Sequence, residues 1–217
     1  MAGLPDPTLL ILLLLLLGAI PFVAVTATSF VKIVVVLLLI RNALGIQQIP
    51  PTMTINGLAI VLTIFIMAPV GIASFDIVAD RDLAAMDTKT LFAALQEATA
   101  PFKEFLARHT DSHQQAFFLE SAEQLWPQEL SGDVRKDNLL VLIPAFTLGE
   151  LTSAFQIGFL LYLPFIAIDL IISNILLAMG MMMVSPTTIS LPFKLLLFVM
   201  LDGWTQLIQG LVLSYHY

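Results

Sequence analysis

The sequence predicts an all-α protein of membrane type, with hydrophobic helical hairpins on either side of a small, polar, helical insert. Three observations carry that expectation. Of 217 residues, 59% are hydrophobic and only 12% charged, with mean hydropathy +0.96, whereas a soluble domain carries about 25% charged residues. Uncharged apolar runs recur that are long enough to cross a hydrocarbon layer of ~30 Å as helix. The charges are also segregated: twelve acids and six bases stand between Asp76 and Asp137. Elsewhere there are only Asp6, Glu150, Asp169 and Asp202, with Lys32, Arg41 and Lys194. A net charge of −7 argues against a nucleic-acid binder, which needs a basic face. The absence of cysteine excludes a disulfide scaffold and thiolate metal sites.

In chain order, Thr8 to Val31 is an uncharged run of spanning length. Leu9–Leu17 also reads as the apolar core of a signal peptide, with Val25-Thr26-Ala27 as its cleavage site. No base precedes that run and a second apolar run follows at once, so a membrane helix is favoured. Ser29–Leu44 is apolar except for Lys32 and Arg41, and Gly45, Pro50 and Pro51 close it with a loop. Gly57–Phe75 is the next span, with Pro69 near its end. The insert carries an apolar stripe at spacings of three and four (Leu83, Met86, Leu91, Ala94, Leu95, Ala98, Phe102, Phe105, Leu106). Phe117, Phe118, Leu125 and Trp126 predict a second amphipathic helix stopped by Pro127. The amphipathic stripe with Phe102, Phe105 and Phe118 exceeds what two short helices can hide, so the insert is expected to pack helix against helix between neighbouring copies. From Leu139 the chain is apolar again, with kinks expected at Pro144 and Pro164. A break follows at Gly180–Pro186, and one last helix is expected over Ser190–Ser214. Three regions result: 1–75, 76–138 and 139–217.

Enzyme motifs are nearly absent. His109 and His113 stand four apart, but without the Glu and third ligand of a zinc helix, so a solvated helix face is expected. Asp80 and Asp82 read as a loop charge cluster. The six charges within apolar segments are more informative, since each costs about 2.5–3.5 kcal/mol on insertion scales unless it is paired. Pairing among them is the favoured reading and a proton or ion relay the sharper alternative, while Asp202-Gly203-Trp204 reads alternatively as a helix end at an interface. If the helices flanking Gly180–Pro186 form a hairpin, Asp169 and Lys194 are equidistant from a point between Met181 and Met182. They then sit level, ~18 Å below the tip at 1.5 Å per residue, as a candidate ion pair. Glu150 is a weaker candidate for the same kind of contact. Met181, Met182 and Met183 occupy the turn, and a ring of such tips would make a soft apolar constriction.

Several long motifs resemble one family. Thr28-Ser-Phe-Val-Lys32, Arg41-Asn-Ala-Leu-Gly45 and Phe65-Ile-Met-Ala-Pro-Val70 are similar to the FliP family of flagellar export proteins and its injectisome counterparts, SctR or YscR. Pro144-Ala-Phe-Thr-Leu-Gly-Glu-Leu151 and Pro192-Phe-Lys-Leu-Leu-Leu-Phe-Val-Met-Leu-Asp-Gly-Trp204 resemble its two signatures, with Ile168-Asp-Leu170 and Met179-Gly-Met-Met-Met-Val184 between them. Gly149 departs from the family's usual small hydroxyl residue, and Gln47-Gln-Ile-Pro-Pro51 looks more like the injectisome branch. The resemblance implies a core pore subunit of the type III secretion export gate. It implies five copies joined to a two-helix small subunit and one larger single-copy subunit in a helical, cone-like assembly. Unfolded secreted proteins would pass through it at the bacterial inner membrane, with the insert on the periplasmic side and the assembled hairpins largely above the bilayer plane. No enzyme activity, cofactor, metal or nucleic acid is implied. The residues alone leave two alternatives: a small ion or solute transporter with buried carboxylates, and a membrane scaffold or assembly factor.

Overall fold

The computed structural model describes residues 21–46, 48–79, 88–132 and 134–216, together with Leu14, Leu15 and Gly18. Among these residues the chain is all-helical, as the sequence predicts. Helix α1 spans Phe30–Ala43, α2 Thr52–Ala79, α3 Thr88–Ala98, α4 Ala100–His109, α5 Ser112–Leu125 and α6 Gln128–Ser131. They are followed by α7 at Leu139–Ala178, α8 at Pro186–Met200 and α9 at Gly203–Leu213. Asp80, Asp82 and the stripe positions Leu83 and Met86 lie outside the described residues, as do the side chain of Leu91 and all but Leu14 and Leu15 of the alternative signal-peptide core Leu9–Leu17.

Helix α1 is the centre of the fold. Ile33, Val36, Leu37, Ile40 and Ala43 are buried along it, and it packs against both α2 and α7. Each buried Val, Leu or Ile contributes about 1.5–3 kcal/mol relative to exposure. The approach to α7 is close because Gly158 stands at the crossing. A Cβ there would lie 2.2 Å from Leu39 Cδ1 and 3.2 Å from Leu39 Cβ. The Thr147 hydroxyl adds a polar tie, 2.7 Å from the Thr26 carbonyl oxygen.

Helix α7 runs forty residues through Pro144 and Pro164, about 60 Å at 1.5 Å per residue. The sequence predicts kinks at both prolines, yet neither ends the helix. Each removes one backbone bond, whereas abandoning the helix among apolar side chains would strand many more.

The single last helix expected over Ser190–Ser214 is instead two, α8 and α9, bent by 59°. Asp202 turns the chain there in the left-handed conformation, with φ +49°. Aspartate tolerates this because its short polar side chain bonds locally, and here its carboxylate accepts from the Thr205 hydroxyl at 3.0 Å. Phe198 and Trp204 meet edge-on across the corner with centroids 5.3 Å apart. Hydropathy carries no record of such a backbone reversal. An apolar groove of about 630 Å³ opens in the bend, lined by Leu161, Phe165, Phe198 and Leu207 with Gln206.

The insert also differs from the sequence expectation. Its first stripe is split between α3 and α4 at Thr99, because Pro101 stands in the first turn of α4 and lacks the N–H a continuing helix needs. Helix α5 starts at an Asp111 cap, whose carboxylate accepts from the His113 N–H at 2.9 Å. Helices α4 and α5 both fold back onto α7, and α3 and α4 onto α2. Phe105 and Leu106 therefore lie in the chain's own core, which removes Phe105 from the surface expected to meet a neighbouring copy. Phe102 and Phe118 are half-buried, and Phe117 is exposed.

Candidate functional site: two ion pairs and a methionine tip

Asp169 on α7 and Lys194 on α8 lie directly across the hairpin, with Nζ 2.6 Å from Oδ2. The other carboxylate oxygen, Oδ1, accepts from the Ser190 hydroxyl at 2.6 Å. Ser190 is one helical turn before Lys194, so both side chains leave α8 on the same face. Lys194 Nζ also donates to the Ala43 carbonyl at 3.2 Å. Ala43 ends α1, where carbonyls lack helical partners and the helix dipole favours a cation. One ammonium thus ties three helices together. Ser190 was not singled out from the sequence, although its spacing of four from Lys194 was the available signal.

A second pair joins Lys32 on α1 to Glu150 on α7, Nζ to Oε1 at 3.0 Å. Glu150 Oε2 accepts from the Tyr215 hydroxyl. The Lys32 ammonium stands 4.1 Å from the centroid of the Tyr215 ring, within cation–π range. Phe105 stacks on that ring at 6.2 Å and His109 contacts it at 5.5 Å. Phe146 backs Phe105 at 5.7 Å. Burial, then the Glu150 charge and the hydrogen bond to it, push the Tyr215 phenol well above its ordinary pKa, so it remains a donor. Sequence reasoning weighed Glu150 and Lys32 but missed Tyr215, which no periodic signal connects to either.

Two further expectations change. His109 does not sit on a solvated face: it is half-buried against Phe105 and Tyr215. His113 belongs to the next helix and is exposed, so the spacing of four is not one helix face. Arg41 bonds the Thr52 hydroxyl at 3.0 Å and the Pro50 carbonyl at 3.4 Å, bracing the loop between α1 and α2. Gly149 faces open space, with nothing within 4 Å of an added Cβ.

The hairpin tip holds the methionines. Gly180, at φ +72°, donates its N–H to the Leu177 carbonyl at 3.0 Å, and Met181 donates to Leu176 at 2.9 Å. This is a Schellman ending, which requires a left-handed residue and so favours glycine. Pro186 opens α8 with its φ already set for helix. Between these fixed ends Met181, Met182 and Met183 are 41%, 80% and 100% exposed.

Long apolar helices whose buried charges pair with one another mark a membrane protein. The chain belongs to the FliP family, whose model matches residues 13–211. It is 55% identical over 215 residues to the Yop proteins translocation protein R of Yersinia pestis, covering 99% of each chain. It is 50% identical over 208 residues to the hypersensitivity response secretion protein HrcR of Ralstonia nicotianae, covering 95% of this chain and 96% of that one. With the virulence protein YscR of Salmonella typhimurium it shares 47% identity over 217 residues, covering 98% of this chain and 99% of the relative.

Proposed function

We propose that this type III secretion export-apparatus protein is the core pore subunit of the export gate. Its role is non-enzymatic. Five copies surround a channel with a two-helix small subunit and one larger single-copy subunit, and unfolded proteins cross the bacterial inner membrane through it. The assembly projects to the periplasmic side, where the insert lies. In support of that placement, α7 at about 60 Å is twice the length the ~30 Å hydrocarbon layer accommodates upright. Its outward face carries exposed Phe155, Phe159, Leu163 and Ile171, apolar surface that subunits or lipid must cover.

The observation that carries the reading is the tip. The Asp169–Lys194–Ser190 cluster fixes the hairpin's register and Ala43 anchors it to α1, so Met181, Met182 and Met183 project from a held base. Five such tips close a gasket around the axis. Unbranched thioether side chains can seal against each other and then mould to a passing polypeptide, which stiff β-branched residues do less well. Both carboxylates are committed to cations of the same chain, which weighs against a transporter that offers them to a solute. Shortening all three methionines to alanine is expected to leave assembly intact and let small ions leak, and oxidation to the polar sulfoxide acts in the same direction. The measurement is ion conductance of membranes carrying the assembled complex. An unchanged leak with normal assembly returns these methionines to a packing role.

A further inference from the structure

We infer that Tyr215 is the positioning residue that locks the insert onto the helical core, so that α4 is docked only when the segment after α9 is seated. Tyr215 is 2% exposed although it stands beyond the last helix. It touches three helices and shares a groove with a fourth. Its hydroxyl donates to Glu150 of α7, its ring lies under Lys32 of α1, and Phe105 and His109 of α4 rest on it. Phe65, Ile66 and Pro69 of α2 line a groove with it. Helix α4 lies more than a hundred residues earlier in the chain, yet Phe105 has this ring as part of its floor.

Chemistry makes the seat conditional. Lys32 covers one oxygen of Glu150, and the Tyr215 hydroxyl covers the other. Without that hydroxyl a buried carboxylate oxygen loses its donor, and hydrogen bonds to charged groups are among the costly ones to lose. Without the ring, Phe105 and His109 lose a stacking partner as well. The two contributions separate by substitution: Tyr215→Phe keeps the ring and removes the donor, while Tyr215→Ala removes both. This inference is independent of the gasket, because Tyr215 and the methionine tip share no contact described above.

The test is amide hydrogen exchange on the full chain in detergent, comparing wild type, Tyr215→Phe and Tyr215→Ala. Exchange in residues 100–109 is expected to rise about tenfold or more in Tyr215→Phe, the size of one lost charge-assisted bond, and further in Tyr215→Ala. The α7–α8 tip should be unchanged. Equal protection of 100–109 in all three proteins overturns the lock, and so does a uniform rise along the whole chain. A second readout needs no destabilised variant. In a chain carrying Tyr162→Phe and Tyr217→Phe, Tyr215 is the sole phenol, since the protein has three tyrosines. Phenolate absorbance at high pH should then stay absent through the ordinary range near 10. A phenol that titrates there is not seated on Glu150, and the inference falls.

Discussion

Lys32→Met is expected to destabilise the folded chain by about 3–5 kcal/mol, because it leaves the Glu150 charge buried without its cation. Glu150→Met should cost a similar amount, since the two side chains are 7% and 4% exposed and neither has water to fall back on. Changing both together should recover most of the loss, as buried pairs replaced by apolar groups of similar volume are often neutral. One deficit persists in the double variant. The Tyr215 hydroxyl has lost its acceptor, at about 1–3 kcal/mol, and adding Tyr215→Phe should remove it. Thermal unfolding in detergent measures all four proteins, with a shift of roughly 2–4 °C per kcal/mol for a chain of this size. A double variant no more stable than either single one would show that the pair is not a coupled unit.

The hairpin pair should respond asymmetrically. Asp169→Ala strands Lys194, whose side chain is 5% exposed, and about 3–5 kcal/mol is expected. The Ala43 carbonyl remains as a neutral acceptor and only softens that loss. Lys194→Ala leaves an Asp169 whose side chain is 32% exposed and still bonded to Ser190, so a smaller loss of about 1–3 kcal/mol is expected. The charge swap should recover only part. It restores attraction across the hairpin but sets a carboxylate against the Ala43 carbonyl, at the end of α1 that favours a cation. Yield of the assembled complex gives the check. Equal damage from the two single variants, or a swap no better than either, would contradict this geometry.

The legibility of these two clusters in the sequence differs for a physical reason. Asp169 and Lys194 belong to one hairpin, where distance along the chain from a Gly-and-Pro-marked turn converts directly to height. Lys32, Phe105, Glu150 and Tyr215 come from four segments with no common period, so only the tertiary path unites them. The same distinction explains the insert. Its stripe at spacings of three and four announces helices, yet it does not say whether Phe105 faces a neighbouring copy or the chain's own α7. The corner at Asp202 was half legible: Asp202-Gly203-Trp204 reads as a helix end, yet the residues on either side are apolar and helical in pattern, and it is the left-handed backbone of one aspartate that splits the helix. Hydropathy identified the long α2 and α7, where composition dominates. It said nothing of the one-turn spacing that sets Ser190 beside Lys194.

The pore claim is tested most directly by trapping a secreted protein in transit. The chain has no cysteine, so Met182→Cys places a single thiol at the exposed tip. A secreted protein fused to a domain that cannot unfold, and carrying cysteines along its length, would be stalled in the assembled apparatus and oxidised. A disulfide between Met182→Cys and the stalled chain is predicted, with no such product from a cysteine at exposed Phe117 on the insert. Efficient cross-linking at Phe117→Cys and none at Met182→Cys would place the polypeptide path elsewhere and contradict the account.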